Sequence, residues 1–216
     1  MPAQPASLFV PGWGAPAGFY VPGLPPGWGM LEPRLFAAGT FAAHRRWLID
    51  RIDALQDAVL LGGHSMGGAL AIAVAAARPE RVKGLVLVSP AGLPLTKPMS
   101  ASFRDLCVQA AGRRYPARPA AKTLRAAIAR PRRALELARD VRGLDLSEEM
   151  ERVKRSGITA TVLGCTTDTL VTAGNSRRAA GLLGARYREL TAAGGHMWML
   201  TAWKRFEREL VAATPA

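Results

Sequence analysis

Cysteine, histidine and acid are all scarce in this chain, which holds two, three and sixteen of them respectively in 216 residues. Cys107 and Cys165 lie far apart and without metal-ligand spacing, which excludes a disulfide framework and a zinc ribbon; the chain is expected to need no metal and no cofactor. No basic stretch followed by an apolar one opens the sequence, so nothing reads as a secretory signal and a cytoplasmic location is expected. The most apolar run, residues 59–77, is broken by Gly62, Gly63, His64 and Ser65, so no membrane span is expected. Aromatic residues make up 6%, too few to interleave with the basic ones. The net charge of +13 comes from 29 basic residues, many of them alternating with alanine on proline-broken helical segments between 104 and 142. Without a recognisable nucleic-acid module, that pattern reads as solvated helix surface, and no nucleic-acid partner is expected. A ligand for it, if one exists, is a carrier-linked or phosphate-bearing acyl group.

What is present is a short glycine-rich turn between two different kinds of segment. Ala58, Val59, Leu60 and Leu61 form an apolar run, and residues 69–77 form a small-residue run; between them stand Gly63, His64, Ser65, Met66 and Gly67. Strand, glycine-flanked serine and helix in that order are the setting of a nucleophile elbow. There the serine backbone is strained, and side chains two residues to either side would collide with the neighbouring elements. A phosphate-binding loop is the competing reading. It fails because no Lys-Ser/Thr follows Gly67, and because neither Gly62 nor Gly63 starts a dinucleotide fingerprint.

A serine needs a base, and the base needs an orienting acid. Of the three histidines, His64 adjoins Ser65 and should point away from it, while His44 falls in 40–55, whose apolar spacing predicts a helix. His196 remains, in a glycine loop (Ala193, Gly194, Gly195, His196) between a predicted strand at 186–190 and a predicted final helix at 198–212. Beyond Ser65 the candidate acids are Asp105, Asp140, Asp145 and Asp168, with several glutamates in charge-rich helical stretches. Asp168 stands apart because it follows 158–163, a β-branched apolar run that reads as a buried parallel strand. Taken alone, a turn aspartate or helix cap explains it equally well. In an open α/β sheet, however, Ser65, Asp168 and His196 would all emerge at the carboxyl edge of the strands.

On these motifs (Gly-Gly-His-Ser-Met-Gly-Gly at 62–68, Leu-Gly-Cys-Thr-Thr-Asp-Thr-Leu-Val at 163–171 and Gly-Gly-His at 194–196) the chain resembles the α/β-hydrolase superfamily over nearly all its length. The resemblance implies Ser65 as nucleophile, Asp168 as acid and His196 as base, in that chain order. It also implies an oxyanion hole from the backbone N–H of Met66 and of a residue just after an early strand. Ser7, Leu8, Phe9 and Val10 read as that strand, which makes Trp13 the second donor; the phrase Pro-Gly-Trp-Gly recurs around Trp28. Pro11-Gly12 stands where the family usually has His-Gly. Glu32, Pro33 and Arg34 replace the family's turn after the next strand, near 28–31. The leading hairpin is missing, so a sheet one or two strands smaller is expected.

With 49% hydrophobic residues the chain can bury a full core. The expected fold is α/β: a mostly parallel central sheet with helices on both faces, shortened at its N-terminal edge. The strand-helix alternation holds through residue 88, breaks over a proline-punctuated helical stretch, and resumes near 158. This predicts a core of 1–92 and 156–216 with a helical cap insertion at 93–155; Phe103, Leu106, Leu124, Ile128 and Leu135 are candidate apolar linings, although packing against a neighbouring helix is the better reading of each. The functional expectation is a serine hydrolase acting on a small carboxylic ester or thioester. The alternatives are carbon–carbon bond hydrolysis or lyase chemistry on the same triad, or a low-turnover ligand-binding receptor.

Overall fold

The computed structural model describes residues 5–110, 114–192 and 194–215; Ala193 and Arg113 lie outside the described residues. Six strands form one sheet: β1 (Ser7–Val10), β2 (Trp28–Met30), β3 (Val59–His64), β4 (Val82–Val88), β5 (Thr159–Cys165) and β6 (Arg186–Leu190). Their order is β2-β1-β3-β4-β5-β6, and every neighbouring pair is parallel. Parallel pairing requires crossovers, and the apolar runs of β3, β4 and β5 are buried almost throughout, as strands covered on both faces must be.

The two faces separate residue by residue. Leu61, Leu85, Leu87 and Val162 join a core cluster with α1 (Phe41–Asp53), α2 (Met66–Ala77) and α7 (Ala173–Leu183). Leu60, Val86, Val88 and Leu163 point the other way, into a cluster holding Tyr20, Trp198 and Phe206, the last in α8 (Trp203–Ala213). Helices therefore lie on both faces. The chain enters α1 through Thr40, whose side chain accepts from the Ala43 N–H, while the Asp140 carboxylate accepts from the Phe41 N–H at 2.6 Å.

Between β4 and β5 the described residues contain no strand and four helices: α3 (Met99–Ala110), α4 (Ala117–Ala129), α5 (Pro131–Gly143) and α6 (Ser147–Arg155). α6 packs against α2 and α7 beside the sheet, and its buried Met150 and Val153 belong to the first core cluster. Two basic residues of this stretch also tie it to other segments, Arg142 from a half-buried position and Arg133 from an exposed one. Arg142 donates to Ser102 Oγ at 2.7 Å and to the Lys97 carbonyl, and Arg133 donates to the Ala37 carbonyl at 2.6 Å.

The last predicted helix begins later than its sequence suggests. Residues Gly195–Leu200 form a tight 3-10 segment with a kink at Met197, and α8 starts only at Trp203. Trp198, Met199 and Leu200 are all buried, and a surface helix with one apolar stripe cannot bury three consecutive side chains.

Candidate active site

Ser65 closes β3 and opens α2 with φ 53° and ψ −118°, a conformation that residues with a side chain avoid. The surroundings hold it there. Its N–H donates to the Val88 carbonyl at 3.0 Å, and its own carbonyl accepts from Ala69 and Ala91 at 3.1 and 3.0 Å. The flanking glycines are needed for space: a Cβ on Gly63 would sit 2.4 Å from the Gly67 carbonyl, and one on Gly67 would sit 2.1 Å from the Val10 carbonyl oxygen. As the first residue of α2, Met66 carries one of the backbone N–H groups that a helix leaves without an internal acceptor.

Asp168 and His196 meet across the tops of β5 and β6. Asp168 Oδ2 lies 2.7 Å from His196 Nδ1, and both side chains are buried. The second carboxylate oxygen accepts from the N–H groups of Leu170 and Val171, each at 2.9 Å, so the carboxylate cannot rotate away from the imidazole. A carboxylate only accepts, so His196 Nδ1 carries a proton and Nε2 is the ring nitrogen left for other work. The glycines before His196 supply backbone that other residues adopt poorly, with Gly194 at φ 119° and Gly195 at φ 54°. His196 is thus a held residue in a tight turn rather than part of a flexible loop. Its N–H donates to Gln109 Oε1, on α3, at 2.7 Å.

Nothing in the spacing of residues announces the next set of contacts. His64 does turn away from the role of base, because both of its ring nitrogens are taken: Nδ1 is 2.8 Å from Tyr20 Oη, and Nε2 is 3.0 Å from the His196 carbonyl. Burial, together with the charge His196 can carry, holds His64 well below the usual histidine range, so it is neutral. A carbonyl can only accept, which places the His64 proton on Nε2; Nδ1 therefore accepts from the Tyr20 hydroxyl. Tyr20 Oη in turn accepts the Gly12 N–H at 3.2 Å, and burial raises its pKa far above the usual phenol value. One buried chain thereby ties the loop after β1, the elbow and the His196 turn together.

Ser65 and His196 line a single, mostly apolar cavity of about 430 Å³, walled by Trp13, Phe103, Leu106 and Leu124. Of the five candidate apolar linings, Ile128 and Leu135 neither line this cavity nor pack away from water: they are 70% and 41% exposed, because they sit on the outer faces of their helices. Trp13 packs against Phe36 with ring centroids 5.1 Å apart and planes tilted by 53°, and its indole donates to the Ala134 carbonyl at 3.1 Å. Trp28 packs on Phe9 within the opposite core cluster and does not line this cavity.

The other candidate acids are occupied elsewhere. Asp105 pairs with Lys97, and Asp140 accepts from the backbone at the start of α1. Asp145 accepts from the Ser147 N–H and hydroxyl at 3.0 and 2.5 Å, bonds that hold its pKa below the usual carboxylate value. His44 bonds the Thr40 carbonyl within its own helix. Among the described residues no group of three or more His, Cys, Asp or Glu side chains could hold a metal ion.

Compared with known proteins, residues 8–209 match the model of the Alpha/beta hydrolase family. Over 81 residues the chain is 40% identical to monoglyceride lipase from Mus musculus, a stretch that takes in 35% of this chain but only 26% of the length of that enzyme; the Homo sapiens enzyme matches equally. Among solved structures, an N-acyl homoserine lactone degrading enzyme superposes with a TM-score of 0.77 at 18% identity, covering 97% of this chain and 93% of its own. A lipase-esterase related protein from Clostridium acetobutylicum gives 0.75 at 14%, covering 98% and 97%. At such identities the superpositions establish the fold alone.

Proposed function

We propose, for a chain that belongs to the alpha/beta hydrolase family, that it is a serine hydrolase cleaving a carboxylic ester or thioester through an acyl-enzyme. The observation that carries this reading is the Asp168–His196 pair at 2.7 Å, opening onto the cavity into which the strained Ser65 also faces. In the proposed reaction His196 Nε2 takes the Ser65 hydroxyl proton as Oγ attacks the carbonyl carbon. Asp168 keeps Nδ1 protonated and stabilises the imidazolium that forms. The backbone N–H groups of Met66 and Trp13 hold the oxyanion, the former aided by the positive end of α2. His196 then hands its proton to the departing alcohol or thiol. A water molecule, deprotonated by the same nitrogen, attacks the acyl-enzyme, releasing the acid and restoring Ser65.

In this reading the insertion at 93–155 serves as a cap, with α3 and α4 shaping the acyl pocket. The apolar lining favours an uncharged acyl group, and the 40% identity to monoglyceride lipase over 81 residues makes a carboxylic ester the first substrate class to try. The two free cysteines, Cys107 and Cys165, support a reducing and hence cytoplasmic setting. No helix among the described residues is long and apolar enough to cross a membrane. The test is labelling of Ser65 by a fluorophosphonate, followed by turnover of a panel of aryl esters, thioesters and vinylogous ketones. Labelling with ester or thioester turnover supports the proposal; ketone turnover alone moves the chain to carbon–carbon hydrolysis, and absence of labelling removes it from the serine hydrolases.

A further inference from the structure

The mouth of the cavity is itself apolar and faces outward. Phe103 on α3 and Leu124 on α4 both line the cavity, yet they are 66% and 61% exposed, and Ile128, one turn beyond Leu124, is 70% exposed. On α4 the exposed positions Ala117, Ala121, Leu124 and Ile128 follow one another at helical spacing, so they make a single outward stripe. Large apolar side chains left in water around a cavity mouth mark a surface that something covers.

Charge selects the occupant. Residues 99–130 contain one acidic residue, Asp105, which is paired with Lys97 and lies 4.0 Å from Arg104, whereas Arg118, Arg125 and Arg130 are all exposed; Lys122 is exposed as well but is paired with Glu32. A second copy of this chain would bring one basic face against another and be repelled. Anionic lipid headgroups would be attracted, and the apolar stripe would enter the headgroup boundary while the arginines remain among the phosphates. The stripe is also continuous with a cavity lined by apolar groups, so an acyl chain leaving the bilayer passes from one apolar environment into another.

We infer that the α3–α4 face docks on an anionic lipid bilayer and draws its apolar substrate from it through the mouth between Phe103 and Leu124. Docking does not depend on the serine chemistry, although delivery of an ester to Ser65 rests on the hydrolase reading above.

The test uses the full-length Ser65→Ala protein, so that binding is read without turnover, in flotation with phosphatidylcholine vesicles made with and without phosphatidylglycerol. Binding should need the anionic lipid and be lost toward about 0.5 M salt, where screening shortens to a few ångströms. Arg118→Gln with Arg125→Gln should weaken partitioning about 30-fold, the scale of two basic residues at a charged surface. Ile128→Ser should weaken it about tenfold through lost apolar burial. In the Ser65 background these variants should hydrolyse a short soluble ester at the parental rate, since none of the three residues lines the cavity. Equal binding to both vesicle types, binding to neither, or insensitivity to all three substitutions would overturn the inference. So would a dimer in sedimentation velocity that Ile128→Ser dissociates, because the face would then be covered by a second copy. A protein that docks but is not labelled by fluorophosphonate would sink the hydrolase reading and leave the docking intact.

Discussion

His64 holds the backbone carbonyl of His196 at 3.0 Å through its Nε2 hydrogen. The residue before the elbow serine thus fixes the turn that carries the imidazole paired with Asp168, and Tyr20 keeps it in the tautomer able to do so. Tyr20→Phe removes that constraint while preserving the ring packing against Phe9 and Phe206. The expected result is kcat lowered about tenfold, the scale of one buried hydrogen bond left unmade, with KM unchanged. Nitrogen-15 histidine spectra should show His64 leaving its single Nε2–H form; an unchanged tautomer with unchanged kcat would refute the positioning role.

Replacing Ser65 by Ala should abolish ester turnover and leave thermal stability nearly intact, since the methyl group occupies the space of the hydroxymethyl. The expected loss is on the order of 10⁶-fold, as when a protease loses its nucleophile. Retention of more than about a tenth of the activity is incompatible with a serine nucleophile.

Asp168→Asn should cost roughly 10⁴-fold in kcat, because an amide facing Nδ1 favours the wrong imidazole tautomer. Asp145→Asn should leave kcat alone, since that exposed carboxylate only caps the start of α6. A reversed pattern in steady-state kinetics would reassign the acid.

Gly67→Ala tests the elbow as architecture. The added Cβ would lie 2.1 Å from the Val10 carbonyl oxygen, which is backbone and cannot rotate aside. Urea denaturation should report a loss of about 3 kcal/mol or more, in the range of severe overpacking. Wild-type stability in this variant would mean that β1 and α2 do not approach as described.

Acid should destabilise the fold through His64. The folded protein keeps this residue uncharged far below pH 6.5, whereas the unfolded chain binds the proton near that value. Below pH 6.5 the unfolded state therefore holds the extra proton, and this one group removes stability at up to about 1.4 kcal/mol per pH unit as pH falls. Urea unfolding between about pH 7 and 5 should show that slope, and His64→Gln should reduce it. Equal slopes in both proteins would count against a neutral buried His64.

The sheet was legible in the sequence because parallel strands buried on both faces must be nearly continuous apolar runs, as β3, β4 and β5 are. The strained turn at Ser65 was legible because such a turn demands glycine at fixed spacing, and the meeting of Asp168 with His196 because topology delivers strand ends to one edge. Tyr20 and Gln109 left no trace. Their partners lie 44 and 87 residues away in sequence, and a hydroxyl or amide side chain carries no periodicity to announce such a contact. The start of α8 was misplaced for a related reason: the break after Leu200 follows from burial of Trp198 and Met199, which only the assembled core determines.

The bond from the His196 N–H to Gln109 makes the position of α3 and the seating of the imidazole a single variable. Whatever displaces α3 therefore pulls on the backbone of that turn as well, while His64 at the His196 carbonyl and Asp168 at the ring hold it from other sides.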